Sequence, residues 1–313
     1  MKPSRLCISF SGGRTSAYMT QRLLREVDPT TEVVVIYANT GEEDERTLQF
    51  VDRCDREFGF NVVWVEAEVN PKSGAGTRHK VVDFRSATRR NAVLGPFEQV
   101  IAKYGIPNKN FPHCTRELKR APITSYLRSI GWKAGTYTTA IGIRADEKDR
   151  ISPSASKNHI DYPLVRWDVT KSIVLDYFRG LPFDLYLPEH RGNCLSCWKK
   201  SDRKLLTLMN ETPSCFNFME RMERLYPNAG PGDQDRPRRF FRLNRTVLDL
   251  TVMSLEPFNA FRDDNEVFDP ELDVGGGCGE TCEVFADADG VYDEEERDEI
   301  VGLDWEAVWL TAA

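Results

Sequence analysis

A short apolar run, a glycine pair and a helix-like segment follow one another near the start of the sequence, which reads LCISFSGGRTSAYM from Leu6 to Met19. Glycines let the backbone turn sharply and come close to a ligand. A helix that begins just after such a turn directs N–H groups and the positive end of its dipole at one point. The segment therefore predicts a strand, an anion-binding turn and a helix, although a purely structural turn would use the same residues.

The alternation of strand-like and helix-like segments continues along the first half of the chain. Strand-like runs occur at Leu6–Phe10, Val33–Tyr37, Asn61–Val65 and near Tyr137–Ile143, and helix-like spacing occurs at Ser16–Glu26 and Glu45–Phe58. Continuous β-branched runs such as VVVIY are typical of strands covered on both faces. This alternation predicts an α/β protein with a doubly wound, mainly parallel sheet. Residues 71–112 are expected to form loops and short helices over the edge of that sheet.

The pattern changes at about residue 191, where a cysteine-bearing turn (GNCLSC) precedes further helix-like segments. We expect residues 1–190 to form a nucleotide-binding α/β domain and residues 191–313 a helical or irregular C-terminal region. From residue 261 to the end there are 18 acidic and 2 basic residues, so the rest of the chain is net basic. The net basic charge of residues 1–260 suits a polyanionic ligand such as a nucleotide or nucleic acid. The acidic composition of residues 261–313 is typical of a solvated helix face or tail.

The sequence contains no apolar run long enough to cross a membrane and no apolar N-terminal stretch typical of a signal peptide. We therefore expect no membrane partner and a location in the cytoplasm. The eight cysteines should be reduced there and serve as metal, cluster or catalytic thiols. Cys194 and Cys197 form a C-x-x-C motif, whose spacing suits zinc, a redox dithiol or a cluster. Cys7 and Cys54 are expected to be small core residues.

A charged segment follows the last of the strand-like runs. Arg144, Asp146, Glu147 and Arg150 lie in the stretch GIRADEKDR. Open α/β sheets bind ligands at the carboxyl ends of their strands. These side chains are therefore candidates for phosphate, sulfate or metal contacts, and a surface ion-pair cluster is the alternative.

Several motifs, taken in order, resemble those of the PP-loop ATP pyrophosphatases, in particular the branch similar to phosphoadenosine phosphosulfate (PAPS) reductase that is found in phage and bacterial genomes. They are SFSGGRTSA, the YANTGE segment from Tyr37, CTRELK from Cys114, GIRADE from Gly142, and GNCLSC. The resemblance covers about residues 5–205 and implies an adenine nucleotide alpha hydrolase-like fold of the HUP type. It also implies ATP or a PAPS-type adenine nucleotide as the ligand.

The same resemblance implies a set of site residues. Those expected to hold the phosphates are Ser11, Gly12, Gly13, Arg14, Thr15 and Ser16, and those expected on the adenosine side are Asn39, Thr40, Gly41 and Glu42, with Gly142 close by. The residues implied for the chemistry are Arg14, Cys114, Arg144 and Asp146. The implied metal ligands are Cys114, Cys194 and Cys197 with Cys278 or Cys282, which suit a [4Fe–4S] cluster, with structural zinc or free redox thiols as alternatives.

The chain departs from the family pattern at the phosphate loop. Thr15 stands where these enzymes usually carry an aspartate, and Arg14 where many carry a lysine. A Mg²⁺ ion is expected with the nucleotide, and Glu42, Glu43, Asp146 and Glu147 are the nearby acids that could hold it. The C-terminal Glu-Cys-Gly motif of assimilatory PAPS reductases is absent from the sequence, and Cys114 stands where APS reductases carry a cysteine pair.

Three functions are compatible with these features. The first is adenylation of an acceptor followed by cluster-assisted sulfur transfer, with a tRNA, DNA or small-molecule acceptor and a separate sulfur donor. The second is reduction of PAPS or adenosine phosphosulfate (APS) to sulfite with thioredoxin, for which Cys278 or Cys282 would supply the nucleophile. The third is a nucleotide- or partner-binding module with little catalysis.

Overall fold

The computed structural model describes residues 4–72, 74–230 and 237–262. Cys278, Cys282 and most of the acidic C-terminal part, on which some of the predictions fall, lie outside these residues. Six strands form one sheet within them. The strands are β1 (Arg5–Ser9), β2 (Glu32–Asn39), β3 (Val63–Val69), β4 (Thr77–Val82), β5 (Thr138–Ala140) and β6 (Ile160–Asp161).

The strand order is β4-β3-β2-β1-β5-β6, and each neighbouring pair is parallel except β3 and β4. This confirms the prediction of a mainly parallel α/β sheet. The chain leaves β1 on one side towards β2 and returns on its other side as β5, so the topological switch point lies beyond the carboxyl ends of β1 and β5. The antiparallel edge strand β4 falls where only loops and short helices were predicted, because its sequence, TRHKVV, is too polar to show a strand pattern.

Helices connect the strands and form the C-terminal part of the described chain. They are α1 (Arg14–Glu26), α2 (Glu45–Phe58), α3 (Pro96–Tyr104), α4 (His113–Thr115), α5 (Ala121–Ser129), α6 (Pro163–Arg166), α7 (Lys171–Arg179), α8 (Asp202–Glu211), α9 (Asn217–Leu225) and α10 (Val247–Ser254). A π-helical turn (Arg116–Arg120) joins α4 to α5, and short 3-10 turns cover Ala145–Arg150, Glu189–Arg191 and Pro213–Phe216. In the described ranges, no helix is long and apolar enough to cross a lipid bilayer.

The sheet is covered on both faces. Ile8 of β1 belongs to a core shared with α1, α2 and α7, whereas its neighbour Cys7 belongs to a separate core shared with α5. This alternation follows from the two-residue period of a strand. Cys7 and Cys54 are both fully buried, as expected of small core residues.

The C-terminal helices share a third core with α3 and the end of β3. Ala67 and Val69 pack there with Phe97 of α3, Leu205 of α8 and Phe218 of α9. The segment from Leu185 to Cys197, which precedes α8, lies at the carboxyl edge of the sheet and contacts the loops that follow β1 and β2. The predicted division of the chain at residue 190 stays a prediction.

Candidate functional site

The loop Ser11–Ser16 joins β1 to α1 at the switch point of the sheet. The Ser16 hydroxyl donates to the Gly13 carbonyl (3.1 Å) and accepts from the Ser11 N–H (3.2 Å), which ties the loop to the first turn of the helix. Gly13 is the N-cap of α1, and the first turn contains no acidic side chain. The positive end of the helix dipole is therefore not neutralised by the helix's own first turn, which favours an anion at this place.

Two glycines allow the close packing of this loop. Gly12 has φ +82°, and a Cβ atom there would lie 2.8 Å from Thr47 Cγ2. Gly142, in the loop after β5, approaches the phosphate-loop backbone, and a Cβ atom there would lie 3.2 Å from Ser16 Cα. The structure thus brings the predicted residues of the β1 and β5 loops together at the switch point.

Arg14 and Thr15, the residues that depart from the family pattern, both contact distant charged groups. Arg14 Nε and Nη2 lie 2.6 and 3.0 Å from the two carboxylate oxygens of Asp184. Thr15 is fully buried, and its hydroxyl accepts a hydrogen bond from Arg144 Nη1 at 3.2 Å. Arg144 is also paired with Asp146 at 3.0 Å. The predicted catalytic residues Arg144 and Asp146 thus form an ion pair behind the phosphate loop.

The segment after β2 is held by buried hydrogen bonds. Asn39 Nδ2 donates to Glu66 Oε1 (2.6 Å) and to the Thr88 carbonyl (2.9 Å), while its buried Oδ1 atom has no hydrogen-bond partner. Gly41, at φ +82°, packs against Thr88. Burial raises the pKa of Glu42 to about 7, although the Asn91 N–H and Arg90 oppose this shift. Buried contacts to Glu66, Thr88 and Asn91 therefore hold Asn39, Gly41 and Glu42 in place at and just after the end of β2.

Two clefts open beside the phosphate loop. One is lined by Ser11, Gly12 and Gly13 together with Thr47 and the segment from Leu185 to Asn193. The other is lined by Ser9, Phe10, Ser11, Ala38, Glu43, Lys119, Ile123 and Asn193. They share Ser11 and Asn193, so the phosphate loop is accessible from both.

Three of the predicted cysteine ligands, Cys114, Cys194 and Cys197, line a third cavity. Its lining is Thr40, Phe97, Cys114, Thr115, Leu118, Lys119, Cys194, Cys197, Trp198, Lys199 and Met219. Cys114 comes from α4, whereas Cys194 and Cys197 come from the segment before α8. The structure therefore brings together thiols that are about eighty residues apart in the chain.

The C-x-x-C turn is fixed to the end of β2. The Leu195 N–H donates to the Glu42 carbonyl at 2.9 Å, and the Thr40 hydroxyl donates to Glu43 Oε1 at 2.7 Å. Because the Thr40 hydroxyl proton is directed to Glu43, the contact of 3.3 Å between Thr40 Oγ1 and Cys194 Sγ is one in which the thiol donates. The segment after β2 and the cysteine segment thus share hydrogen bonds.

Among the described residues, Cys114, Cys194 and Cys197 do not by themselves form a metal centre. In the part of the chain that the structure describes, no group of three or more His, Cys, Asp or Glu side chains is arranged to hold a metal ion. Cys278 and Cys282, the predicted fourth ligands, lie outside that part. The [4Fe–4S] cluster and the zinc alternative stay predictions, and no chemical step below is assigned to either.

Other polar residues near the site have structural partners. His113, beside Cys114, lies 3.1 Å from the Gly105 carbonyl through Nε2, and burial, with Arg116 and Arg238, lowers its pKa to about 4. His113 is therefore neutral at neutral pH. Burial opposes ionisation of Glu189, but Lys204 and Lys171 outweigh this effect and lower its pKa to about 2.

Sequence reasoning missed three residues near the phosphate loop. Glu189 and Asn193 line the cleft at Ser11, and Asp184 pairs with Arg14. Asp184 and Glu189 belong to no recognisable motif, and Asn193 lies in GNCLSC, which was interpreted only for its cysteines. The tertiary fold brings all three near the loop.

Comparisons with known proteins agree with this geometry. Residues 5–160 match the family model described as phosphoadenosine phosphosulfate reductase domain, and this range contains β1 to β5 and the first residue of β6. The chain is also 32% identical over 287 residues to the uncharacterized nin region protein ORF290 of Escherichia phage lambda. That alignment covers 89% of this chain and 94% of the phage protein, so it extends through the cysteine segment and the C-terminal helices.

Proposed function

The chain belongs to the phosphoadenosine phosphosulfate reductase family, and we propose that it holds an adenine nucleotide at the carboxyl edge of its sheet and performs sulfur chemistry on it with the neighbouring thiols. The phosphate loop and the segment after β2 would bind the nucleotide. The cavity lined by Cys114, Cys194 and Cys197 would supply the reacting sulfur.

The observation that carries this proposal is the position of Lys119. This side chain, 8% exposed, lines both the cleft that contains Ser11 and the cavity that contains the three cysteines. A nucleotide with its phosphates on the loop would therefore direct its anionic end towards a buried ammonium group and the thiols behind it. A cation at that position would also favour thiolate over thiol.

One version of the reaction begins with ATP. The acceptor, a tRNA, DNA or a small molecule, would attack the α-phosphate, and the pyrophosphate would leave against the loop N–H groups and Arg14. Sulfur from a separate donor would then displace the adenylate. The predicted Mg²⁺ and the predicted cluster on Cys114, Cys194, Cys197 and Cys278 or Cys282 belong to this version.

A second version is favoured by the thiol cavity itself. A cysteine thiolate would attack the sulfur of a sulfonucleotide such as PAPS or APS, breaking its bond to the phosphate oxygen and releasing the nucleotide. A second cysteine would attack the resulting S-sulfocysteine, so that sulfite leaves and a disulfide remains. An external dithiol of the thioredoxin type would reduce that disulfide.

Two product assays on the full chain decide between these versions. Pyrophosphate release from ATP with a candidate acceptor supports the first, and sulfite release from PAPS or APS with a dithiol reductant supports the second. Cys114→Ser, Cys194→Ser and Cys197→Ser should reduce turnover with little change in nucleotide affinity, and Cys54→Ala is a matched control because this cysteine is buried in the other core. A chain that binds nucleotide and forms neither product would be a binding module instead.

A further inference from the structure

The outer face of α10 is apolar and exposed. Leu248 is 71% exposed, Val252 58% and Leu255, the residue that caps the helix, 79%. Their spacing of four and three residues places these side chains on one face of the helix. The opposite face, with Leu250, is buried against α8 and α9. A helix that is apolar on both faces is typical of a helix that is covered on both.

The loop that leads into α10 is basic. Residues 238–245 contain four arginines and no acidic residue. One carboxylate, that of Asp202, pairs with both Arg242 (2.9 Å) and Arg245 (2.6 Å). Glu223 and Asp249 also face this loop, so three carboxylates meet four guanidinium groups. The exposed apolar face therefore begins beside an excess of positive charge, which favours an acidic partner.

A segment of the same chain, outside the described residues, has the complementary sequence. Residues 293–299 read DEEERDE, and residues 300–310 read IVGLDWEAVWL. Val301, Trp305 and Val308 recur there with the same spacing of four and three residues as the exposed side chains of α10. The acidic run precedes the apolar run, just as the basic loop precedes α10. A parallel alignment would therefore match charge with charge and apolar surface with apolar surface.

The described chain ends close to α10. The Phe261 N–H donates to Thr207 Oγ1 of α8 at 2.8 Å, and α8 contacts α10 where Thr251 Oγ1 lies 3.7 Å from Met209 Sδ. Thirty residues separate Arg262 from Asp293. A chain of that length can span on the order of 100 Å when extended, so its length allows residues 293–310 to return to α10.

We propose that residues 293–310 bind to α10 of their own chain. The acidic run lies against the basic loop, and the apolar run covers Leu248, Val252 and Leu255. A second copy of the α10 face would bring the same basic loop and no counter-charge for it. The intramolecular segment also has the advantage of a high effective concentration. This contact does not depend on the proposed nucleotide site.

Tryptophan fluorescence of the full chain tests the proposal. Two of the six tryptophans, Trp305 and Trp309, lie in the segment, and subtracting the spectrum of the Trp305→Phe/Trp309→Phe variant isolates their contribution. We expect this contribution to be blue-shifted and protected from acrylamide, relative to the same chain unfolded in urea. Emission and quenching equal to those of the unfolded chain would overturn the proposal.

Val252→Glu should release the segment, because it places a carboxylate in the middle of the apolar face and opposite an acidic sequence. We expect the ratio of bound to released segment to fall about tenfold or more, with a red shift and stronger quenching of the two tryptophans. Val93→Glu is the matched control, since Val93 is also an exposed valine but precedes α3. Equal quenching in both variants would show that the segment does not bind to α10.

Two variants of equal charge test the acidic run. Glu294→Gln/Glu295→Gln/Glu296→Gln should increase quenching, whereas Asp263→Asn/Asp264→Asn/Glu266→Gln should not, although each removes three negative charges. Equal responses would contradict the pairing with the basic loop. Sedimentation at two protein concentrations should show a monomer with unchanged protection of the tryptophans. Protection that increases with concentration, together with the mass of a dimer, would assign the α10 face to a second copy and overturn the proposal.

Discussion

The phosphate loop and the cysteine cavity are neighbours, since Lys119 lines both the cavity and a cleft at Ser11, yet they are built in different ways. The phosphate loop is fixed by backbone packing: a Cβ atom would lie 2.8 Å from Thr47 Cγ2 at Gly12 and 3.2 Å from Ser16 Cα at Gly142. The cavity is made by side chains from α4, the C-x-x-C turn and α9, held together by hydrogen bonds and by the C-terminal core. Substitutions that add volume at the phosphate loop should therefore reduce stability. At the cysteine cavity, stability should depend on charge and hydrogen bonding where the cavity meets the segment after β2.

Gly12→Ala should have the largest effect, because it combines a positive φ with a Cβ contact of 2.8 Å to Thr47. A left-handed non-glycine residue costs about 1–2 kcal/mol, and overpacking adds about 1–3 kcal/mol. Gly131→Ala is the control, since Gly131 has nearly the same φ, +84°, with nothing within 4 Å. Urea unfolding should show a loss for Gly12→Ala that exceeds the loss for Gly131→Ala by at least ~1 kcal/mol. Equal losses would mean that the loop is not tightly packed.

Glu42→Gln should have the next largest effect, and it depends on pH. Burial raises the pKa of Glu42 from 4.5 to about 7, so the folded chain binds a proton more tightly than the unfolded chain does. The stability that this proton contributes is present below about pH 4.5 and is lost as the pH rises through about 7. We expect Glu42→Gln to be more stable than the wild type at pH 8 by up to ~3 kcal/mol, and this gain to fall away at pH 5.

The control for Glu42→Gln is Glu256→Gln, because Glu256 is exposed. Urea midpoints measured from pH 5 to pH 8 should show a pH-dependent difference from the wild type for Glu42→Gln and none for Glu256→Gln. Parallel curves for Glu42→Gln and the wild type would show that Glu42 is ionised in the folded chain at neutral pH. In that case a negative charge would lie where the segment after β2 meets the cysteine segment.

The two sites also differ in how far the sequence could predict them. The phosphate loop was predictable because β1, the glycine turn and α1 are adjacent in the chain, so the local sequence indicates their geometry. The contacts of Arg14 with Asp184 and of Thr15 with Arg144 could not be predicted, since these residues are separated by 170 and 129 positions. The raised pKa of Glu42 depends on its burial in the folded chain, which no local sequence pattern indicates.

The C-terminal part of the fold was less predictable than the sheet. Resemblance indicated that Cys114, Cys194 and Cys197 belong together, but the cavity that joins them depends on α3, α8 and α9 packing in one core. The edge strand β4 was missed because an edge strand with one exposed face tolerates the polar residues that obscure its pattern.

Thr40→Val should have a smaller effect on stability, because it removes the hydroxyl between Glu43 and Cys194 and keeps the side-chain shape. Loss of a buried hydrogen bond to a charged group costs about 1.5–3 kcal/mol. Thr20→Val is a matched control, since Thr20 is equally buried but donates only to the Ser16 carbonyl of its own helix, an arrangement that contributes little to helix stability. A loss for Thr40→Val no larger than that for Thr20→Val, measured by urea unfolding, would show that the two sites are not joined through this hydroxyl.

Asp184→Asn should have the smallest effect, and it tests whether backbone or side chains hold the phosphate loop. The Arg14–Asp184 pair is bidentate and partly exposed, so its loss should cost about 1 kcal/mol, against less than ~0.5 kcal/mol for Asp176→Asn in the exposed pair on α7. If the loop conformation is set by Gly12, Gly142 and Ser16, nucleotide affinity measured by calorimetry should change by less than about threefold. A much larger change would mean that the direction of the Arg14 side chain decides phosphate binding. Side-chain charge, rather than backbone packing, would then determine what the phosphate loop binds.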